Sequence, residues 1–186
     1  MNVIETFLQG VKIIEPDVYG DKRGWFMETY SDKKYKEAGI GFNFVQDNQS
    51  FSAIRGTLRG VHYQLHPKPQ TKLVRCTRGV IFDVAVDIRQ GSPSFGRWVG
   101  IELSADNKKQ LLIPSGFAHG FITLADNTEV QYKVDEIYSP DLDRGIIWND
   151  RTIGIDWPLE VPPILSEKDR KAPRLADAEN NFIYGD

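Results

Sequence analysis

The feature that most constrains this chain is a succession of short strand-like segments separated by turn residues. Lys72-Leu73-Val74-Arg75 and Val80 to Val86 flank Arg78-Gly79. Trp98 to Leu103 and Gln110 to Ile113 flank Ser104-Ala105-Asp106-Asn107. His119 to Leu124 and Val130 to Val134 flank Ala125-Asp126-Asn127. Such spacing predicts three hairpins and an antiparallel sandwich or barrel. Aromatic-rich Trp25 to Tyr30, then Phe42 to Gln46 and Thr57 to Gln64, read as further strands. Apolar Val3 to Leu8 reads as a strand suited to pairing with a partner's sheet. Helix is confined to Asp32–Ala38, capped by Ser31 and stopped by Gly39, and to a short piece at Ser166–Lys171. The tail from Trp157 carries Pro158, Pro162, Pro163 and Pro173 and should wrap the sheets irregularly. No linker or change of composition divides the 186 residues, so residues 1–186 are expected to form a single domain.

Charge and cysteine content narrow the function. A net charge of −3 argues against a general nucleic-acid binder, so an anionic ligand has to be held by local cations. The N-terminal Met1 to Thr6 lacks the basic start and long apolar run of a signal peptide, and no stretch is long enough to span a membrane. Cys76 is the single cysteine, which suits a reducing cytoplasm.

The chain holds three histidines, His62, His66 and His119. His119 ends Pro114-Ser115-Gly116-Phe117-Ala118-His119, and Pro-x-Gly-x-x-His resembles the second half of the cupin pattern. An all-β, cupin-type jelly-roll barrel with a few short helices is therefore the expected fold. Metal-binding cupins also place His-x-His on an earlier strand. Here that segment reads His62-Tyr63-Gln64, and His66 has the wrong strand parity to help. A glutamine amide is a poor transition-metal ligand beside imidazole, so no metal and no other cofactor is expected. A barrel without a metal triad is free for acid–base chemistry. Inverting a carbon next to a carbonyl needs a base, a group that stabilises the enolate, and an acid on the opposite face. His62 is the natural base, Lys72 a cation for the oxyanion, and Tyr132 the opposing acid. A carboxylate behind the histidine would orient its ring, and Asp169 is one candidate.

Five motifs then occur in order: Gly20-Asp21-x-Arg23-Gly24-Trp25-Phe26, Arg59-Gly60-x-His62-Tyr63-Gln64, Gln70-x-Lys72-Leu73-Val74, Pro114-x-Gly116-x-x-His119-Gly120-Phe121 and Ser166-x-Lys168-Asp169. Together they resemble the dTDP-4-dehydrorhamnose 3,5-epimerase family, from about Val3 to Ala178. The resemblance implies a metal-free, usually homodimeric enzyme of L-rhamnose and polysaccharide biosynthesis. It inverts both carbons flanking the C4 ketone of a dTDP-sugar. It implies that His62 is the base oriented by Asp169, that Tyr132 is the acid, and that Lys72 holds the enolate. Arg23, Arg59 and Lys168 would face the diphosphate, while Gln46, Asp47 and Asn48 line the channel. Phe26 and Glu28 would contact the nucleotide, Glu28 across the dimer interface, and Tyr138 would stack on thymine. Asp143 stands where a ligand-contacting glutamate is common, one methylene shorter.

Plainer readings stand beside these. His62 could be a satisfied core histidine, Lys72 an edge lysine and Tyr132 a core tyrosine. His66 reads as a surface loop residue. His119 either binds the ligand or supports the base, with Asp83 as its candidate partner; Asp83 and Asp87 could equally face solvent. Cys76 reads as a small buried hydrophobe. Trp25, Trp98, Trp148 and Trp157 read as core or interface packing, and Lys108-Lys109 as solvated surface. Competing functions are a single-centre C3 or C5 epimerase, a metal-dependent cupin enzyme, and a sugar-nucleotide binding module without catalysis.

Overall fold

The computed structural model describes residues 1–160 and 162–185. Among these residues thirteen strands carry the fold: β1 Asn2–Glu5, β2 Lys12–Glu15, β3 Val18–Asp21, β4 Gly24–Met27, β5 Gln46–Ser52, β6 Leu58–Gln64, β7 Lys72–Arg78, β8 Val80–Asp87, β9 Trp98–Ser104, β10 Gln110–Ile113, β11 Phe117–Thr123, β12 Thr128–Val134 and β13 Asp143–Gly145. Two short helices, α1 Asp32–Glu37 and α2 Glu167–Arg170, lie outside them.

Two antiparallel sheets face each other. One runs β1-β2-β10-β7-β12-β5 and the other β13-β6-β11-β8-β9. The predicted turns fall where expected, but the three predicted hairpins do not form. Each turn carries the chain from one sheet to the other: β7 to β8, β9 to β10 and β11 to β12 all change sheets. A turn glycine bends the chain equally well within a sheet or between two sheets. What decides is burial. Val74, Cys76, Leu111, Ile113 and Val130 on one sheet meet Ile81, Ala85, Leu103, Phe117 and Phe121 on the other, and that inner layer forms only if neighbours in sequence face each other. This alternation between sheets is the jelly-roll topology.

The outer faces are covered differently. On the β6 sheet, Val61, Tyr63, Val84, Val86, Ala118 and Ile122 pack under the C-terminal tail through Ile153, Trp157, Leu175 and Phe182. On the β10 sheet, Ile14, Leu73 and Leu112 pack against Tyr35 of α1, Ile40, Phe42 and Phe44. That packing corrects one prediction: Phe42 to Val45 are not strand, and the strand begins at Gln46 and runs through polar residues to Ser52. Its inward face lines a cavity and needs no apolar side chains. The N-terminal strand is likewise shorter than expected, ending at Glu5, with Leu8 buried in the core. Ser31 precedes α1 but makes no side-chain cap, whereas Ser166 accepts from the Asp169 amide at 3.0 Å.

One irregularity sets up the site. Between β6 and β11, His119 faces His62 but Phe121 faces Arg59, so β6 carries one residue more than the strand opposite. The extra residue sits at Gly60, whose φ is +123°. A side chain there would press within 2.5 Å of the Gly120 Cα, and one on Gly120 would come within 2.9 Å of the Arg59 carbonyl. Two glycines therefore allow a bulge of the kind that re-aims side chains.

Candidate active site

A cavity of about 380 Å³ opens between the sheets, lined by Gln46, Asn48, His62, Tyr63, Gln64, Gln70, Lys72, Tyr132, Tyr138, Asp143 and Lys168. Strand alternation explains most of the lining. The β5 and β12 register pairs Asn48 with Tyr132 and Gln46 with Val134, all on the inward face. Asp143 pairs with Gln64, and Gly145 with His62. Beneath the His62 ring a side chain on Gly145 would lie 3.1 Å from Cδ2, so the close fit of β13 under the imidazole depends on that glycine. No sequence reading had singled it out; its signal emerges only from the pairing.

His62 and Asp169 meet at 2.5 Å between Nε2 and Oδ1, 107 residues apart in sequence. Burial works to raise the Asp169 pKa, but the His62 hydrogen bond and charge and the Ser166 hydroxyl outweigh it and hold the carboxyl below its ordinary value. An ionised Asp169 fixes the imidazole in the tautomer with hydrogen on Nε2, leaving Nδ1 with a free lone pair.

Lys72 is buried, with Nζ 3.4 Å from the His62 carbonyl oxygen. Burial pushes its pKa down to about 8, against the opposing attraction of Asp143 and Asp83. Tyr132 rises from the opposite sheet, and burial raises its pKa, eased by the nearby Arg59 guanidinium. Arg59 is anchored by donating to the Phe51 carbonyl at 3.0 Å and the Ser52 hydroxyl at 3.3 Å. Because of the bulge, Arg59 and His62 point to the same side of their sheet, toward the sheet opposite, despite standing three residues apart.

The rim is polar. Tyr138 donates to Asp143 Oδ2 at 3.0 Å, Asp143 also pairs with Lys168, and the Tyr138 amide donates to Gln46 at 3.2 Å. Gln64 is a clasp: its amide donates to the Ile137 carbonyl at 3.0 Å and accepts from the Ser139 amide at 2.8 Å. Gln70 donates to the Glu136 carbonyl at 2.8 Å, holding the same loop. Both roles were unread in the sequence because their partners are backbone atoms of a distant loop.

A metal fits this donor set poorly. Gln64 is committed to backbone, and both histidines of the site give Nε2 to a carboxylate, part-buried His62 to Asp169 and buried His119 to Asp83. Among the described residues no three His, Cys, Asp or Glu side chains converge.

Four expected ligand residues stand away from the cavity. Asp47 points to the outer face of its sheet and pairs with Lys133 at 2.8 Å, beside a second hollow of about 370 Å³. Arg23 pairs with Asp21 at 2.5 Å and Glu28 with Lys34, both on the surface. Phe26 is 65% exposed and faces Tyr19 in the separate two-stranded antiparallel ribbon that β3 and β4 form. His119 lies under the cavity instead of on its wall, its ring 6.5 Å from that of Tyr132. Among the residues weighed more plainly, Cys76 is buried and His66 exposed, Trp157 is core, and Trp25 is 58% exposed. Asp87 does not face solvent: it is fully buried and bound by Arg89, Ser92 and Ser94.

The family model for dTDP-4-dehydrorhamnose 3,5-epimerase matches residues 5–177. A dTDP-4-dehydrorhamnose 3,5-epimerase of Shigella flexneri is 54% identical over 180 residues, covering 96% of this chain and 98% of the relative. The crystal structure of the Bacillus anthracis enzyme with TDP and PPi bound superposes with a TM-score of 0.91 at 53% identity, covering 93% of this chain and 98% of that one. A Legionella pneumophila dTDP-6-deoxy-D-glucose-3,5-epimerase in complex with dTDP-4-keto-L-rhamnose gives a TM-score of 0.91 at 49% identity, over 94% of this chain and 93% of that one.

Proposed function

The chain belongs to the dTDP-4-dehydrorhamnose 3,5-epimerase family, and from that premise we propose how its own residues divide the chemistry. The reaction is epimerisation of dTDP-4-dehydro-6-deoxy-D-glucose at C3 and C5 to dTDP-4-dehydro-L-rhamnose. The C4 ketone acidifies both carbons, so each step is loss of a proton to give an enolate and its return on the other face. The observation that carries the assignment is the opposition of His62 and Tyr132, which enter the cavity from different sheets. A sugar ring between them has a base on one face and an acid on the other, as inversion requires.

His62 takes the proton, with Asp169 stabilising the imidazolium that forms. The Lys72 ammonium meets the developing C4 oxyanion in a buried setting where charge is poorly screened. Tyr132 donates from the opposite side. Its raised pKa supports the role, since the phenol stays protonated at neutral pH. Arg59 and Lys168 supply cations for the diphosphate, Tyr138 offers its exposed ring to thymine, and Gln46, Asn48 and Asp143 line the way in. No step is routed through a metal or another cofactor.

A homodimer accounts for the outlying residues. The β3–β4 ribbon leaves Val18, Tyr19, Trp25 and Phe26 exposed together, an apolar patch that an isolated chain rarely shows to water. A partner's ribbon would bring Arg23, Phe26 and Glu28 to this chain's cavity; Asp47 then contributes from the rim behind Asn48. Light scattering should give twice the 21.2 kDa chain mass, and an active monomer would remove the shared site. Among the described residues no helix is long and apolar enough to cross a membrane. A cytoplasmic location fits the buried, unpaired thiol of Cys76, and cell fractionation tests it.

Proton NMR of dTDP-4-dehydro-6-deoxy-D-glucose with the protein in D₂O tests the reaction directly. Deuterium should enter at both C3 and C5. Exchange at one carbon only makes the chain a single-centre epimerase; a folded protein that binds the nucleotide without exchange makes it a binding module.

A further inference from the structure

The cavity floor holds a second histidine–carboxylate pair to which the acid–base scheme gives no work. Asp83 Oδ1 lies 2.7 Å from His119 Nε2, and both side chains are buried. Such a pair is costly to bury, and its other carboxylate oxygen has no hydrogen-bond partner among the described residues. A purely structural aspartate would be fully bonded, as Asp87 is two turns of the pleat away, with Arg89, Ser92 and Ser94 around it. Asp83 instead stands on the inward face of β8 among apolar residues, opposite Phe121 on β11 and Ile101 on β9.

We infer that Asp83 is a positioning residue for the epimerisation: through Nε2 it fixes the His119 ring behind Tyr132 and His62. This rests on the epimerase reading of the site. The charged and titratable groups around Lys72 and His119 are few. Lys72 feels Asp143 from β13, Asp83 from β8 and Lys168 from α2. His119 feels Asp83, Lys72 and His62. Burial drives the pKa values of Lys72 and His119 downward, and Asp83 opposes the fall at both. One carboxylate thus serves two strands: it bonds the imidazole and, without touching it, holds the ammonium in its charged form.

The sign follows. A Lys72 whose pKa is held at about 8 is mostly cationic at neutral pH. Replacing Asp83 by Asn keeps the shape but removes one attraction, so the ammonium should lose its proton about one pH unit earlier. With [ε-¹³C]lysine labelling, the lowest lysine titration midpoint should drop by that amount in Asp83→Asn, and the alkaline limb of kcat should move down with it while KM changes little. With only three histidines in the chain, ring ¹⁵N spectra resolve each one. His119 should carry its proton on Nε2 in the wild type and lose that single tautomer in the variant. Should Asp83→Asn fail to fold, Asp83→Glu retains the charge: the lysine midpoint should stay while the His119 signature changes. An unmoved lysine midpoint together with an unmoved His119 tautomer in Asp83→Asn would overturn the inference. Neither spectrum needs turnover, so a wild-type protein inactive on the dTDP-sugar would count against the epimerase reading alone.

Discussion

His62→Asn lowers proton exchange at C3 and C5 by about 10²–10⁴-fold, the usual loss of one positioned acid–base group, and leaves the fold in place. The fold survives because the His62 ring is only part-buried, at 29% side-chain exposure, and does not belong to either packed layer. Asparagine fills much of the same volume and can still donate to Asp169, so that carboxylate is not stranded. What disappears is the free Nδ1 lone pair that would take the proton. The check is deuterium incorporation alongside a urea denaturation curve. Exchange at the wild-type rate would remove His62 from the mechanism; a collapsed denaturation midpoint would mean that the histidine was a core residue after all.

Lys72→Met gives the second large effect, and its two halves point in opposite directions. Activity falls by about 10²–10³-fold, as it does when one donor to a developing oxyanion is lost. Stability at neutral pH rises. In the folded chain the Lys72 pKa sits at about 8, below the value of about 10.4 for a free lysine. Between those two values the unfolded chain binds more protons than the folded one, so stability climbs with pH through that window. Below it the full cost of burying the charge is present. Methionine is of similar length and carries no charge, so it relieves a cost on the order of 2 kcal/mol. The wild-type rate should also fall as pH rises past about 8, where the ammonium deprotonates. A Lys72→Met protein with unchanged turnover, or one clearly less stable at pH 7, would contradict this account.

The residues proposed to do most of the chemistry were legible because they sit on regular strands. His62, Lys72 and Tyr132 lie in segments whose alternation and turn boundaries are visible in one sequence, and the structure points all three inward. From the residues alone Asp169 is one candidate partner for His62, and only the family resemblance singles it out, since the two are 107 residues apart and Asp169 lies on a helix of four residues. Pairing across that distance is settled by how the tail lies against β6, which no local pattern records. The predicted hairpins failed for a related reason. Arg78-Gly79 marks a reversal of direction but says nothing about whether the returning strand hydrogen-bonds to its predecessor or faces it across the core. Strand β5 was missed because polarity is the usual sign of a loop, while here Gln46 and Asn48 are polar to line a cavity. Arg23, Phe26 and Glu28 were legible only by resemblance; within one chain they meet nothing that explains them.

The bulge at Gly60 makes residue count itself part of the active site. Upstream of it the strand is in one phase and downstream in the other, so Arg59 and His62 look inward on an odd separation that a flat strand would forbid. Removing one residue between them would close the bulge and leave the two on one face of a regular strand, two residues apart as their partners His119 and Phe121 are. Such a deletion would keep both side chains on that face but remove the local bend and twist by which the bulge aims them. Along β6 the extra residue therefore sets aim and not face, and a change of length there probes the bulge separately from the chemistry of the side chains it carries.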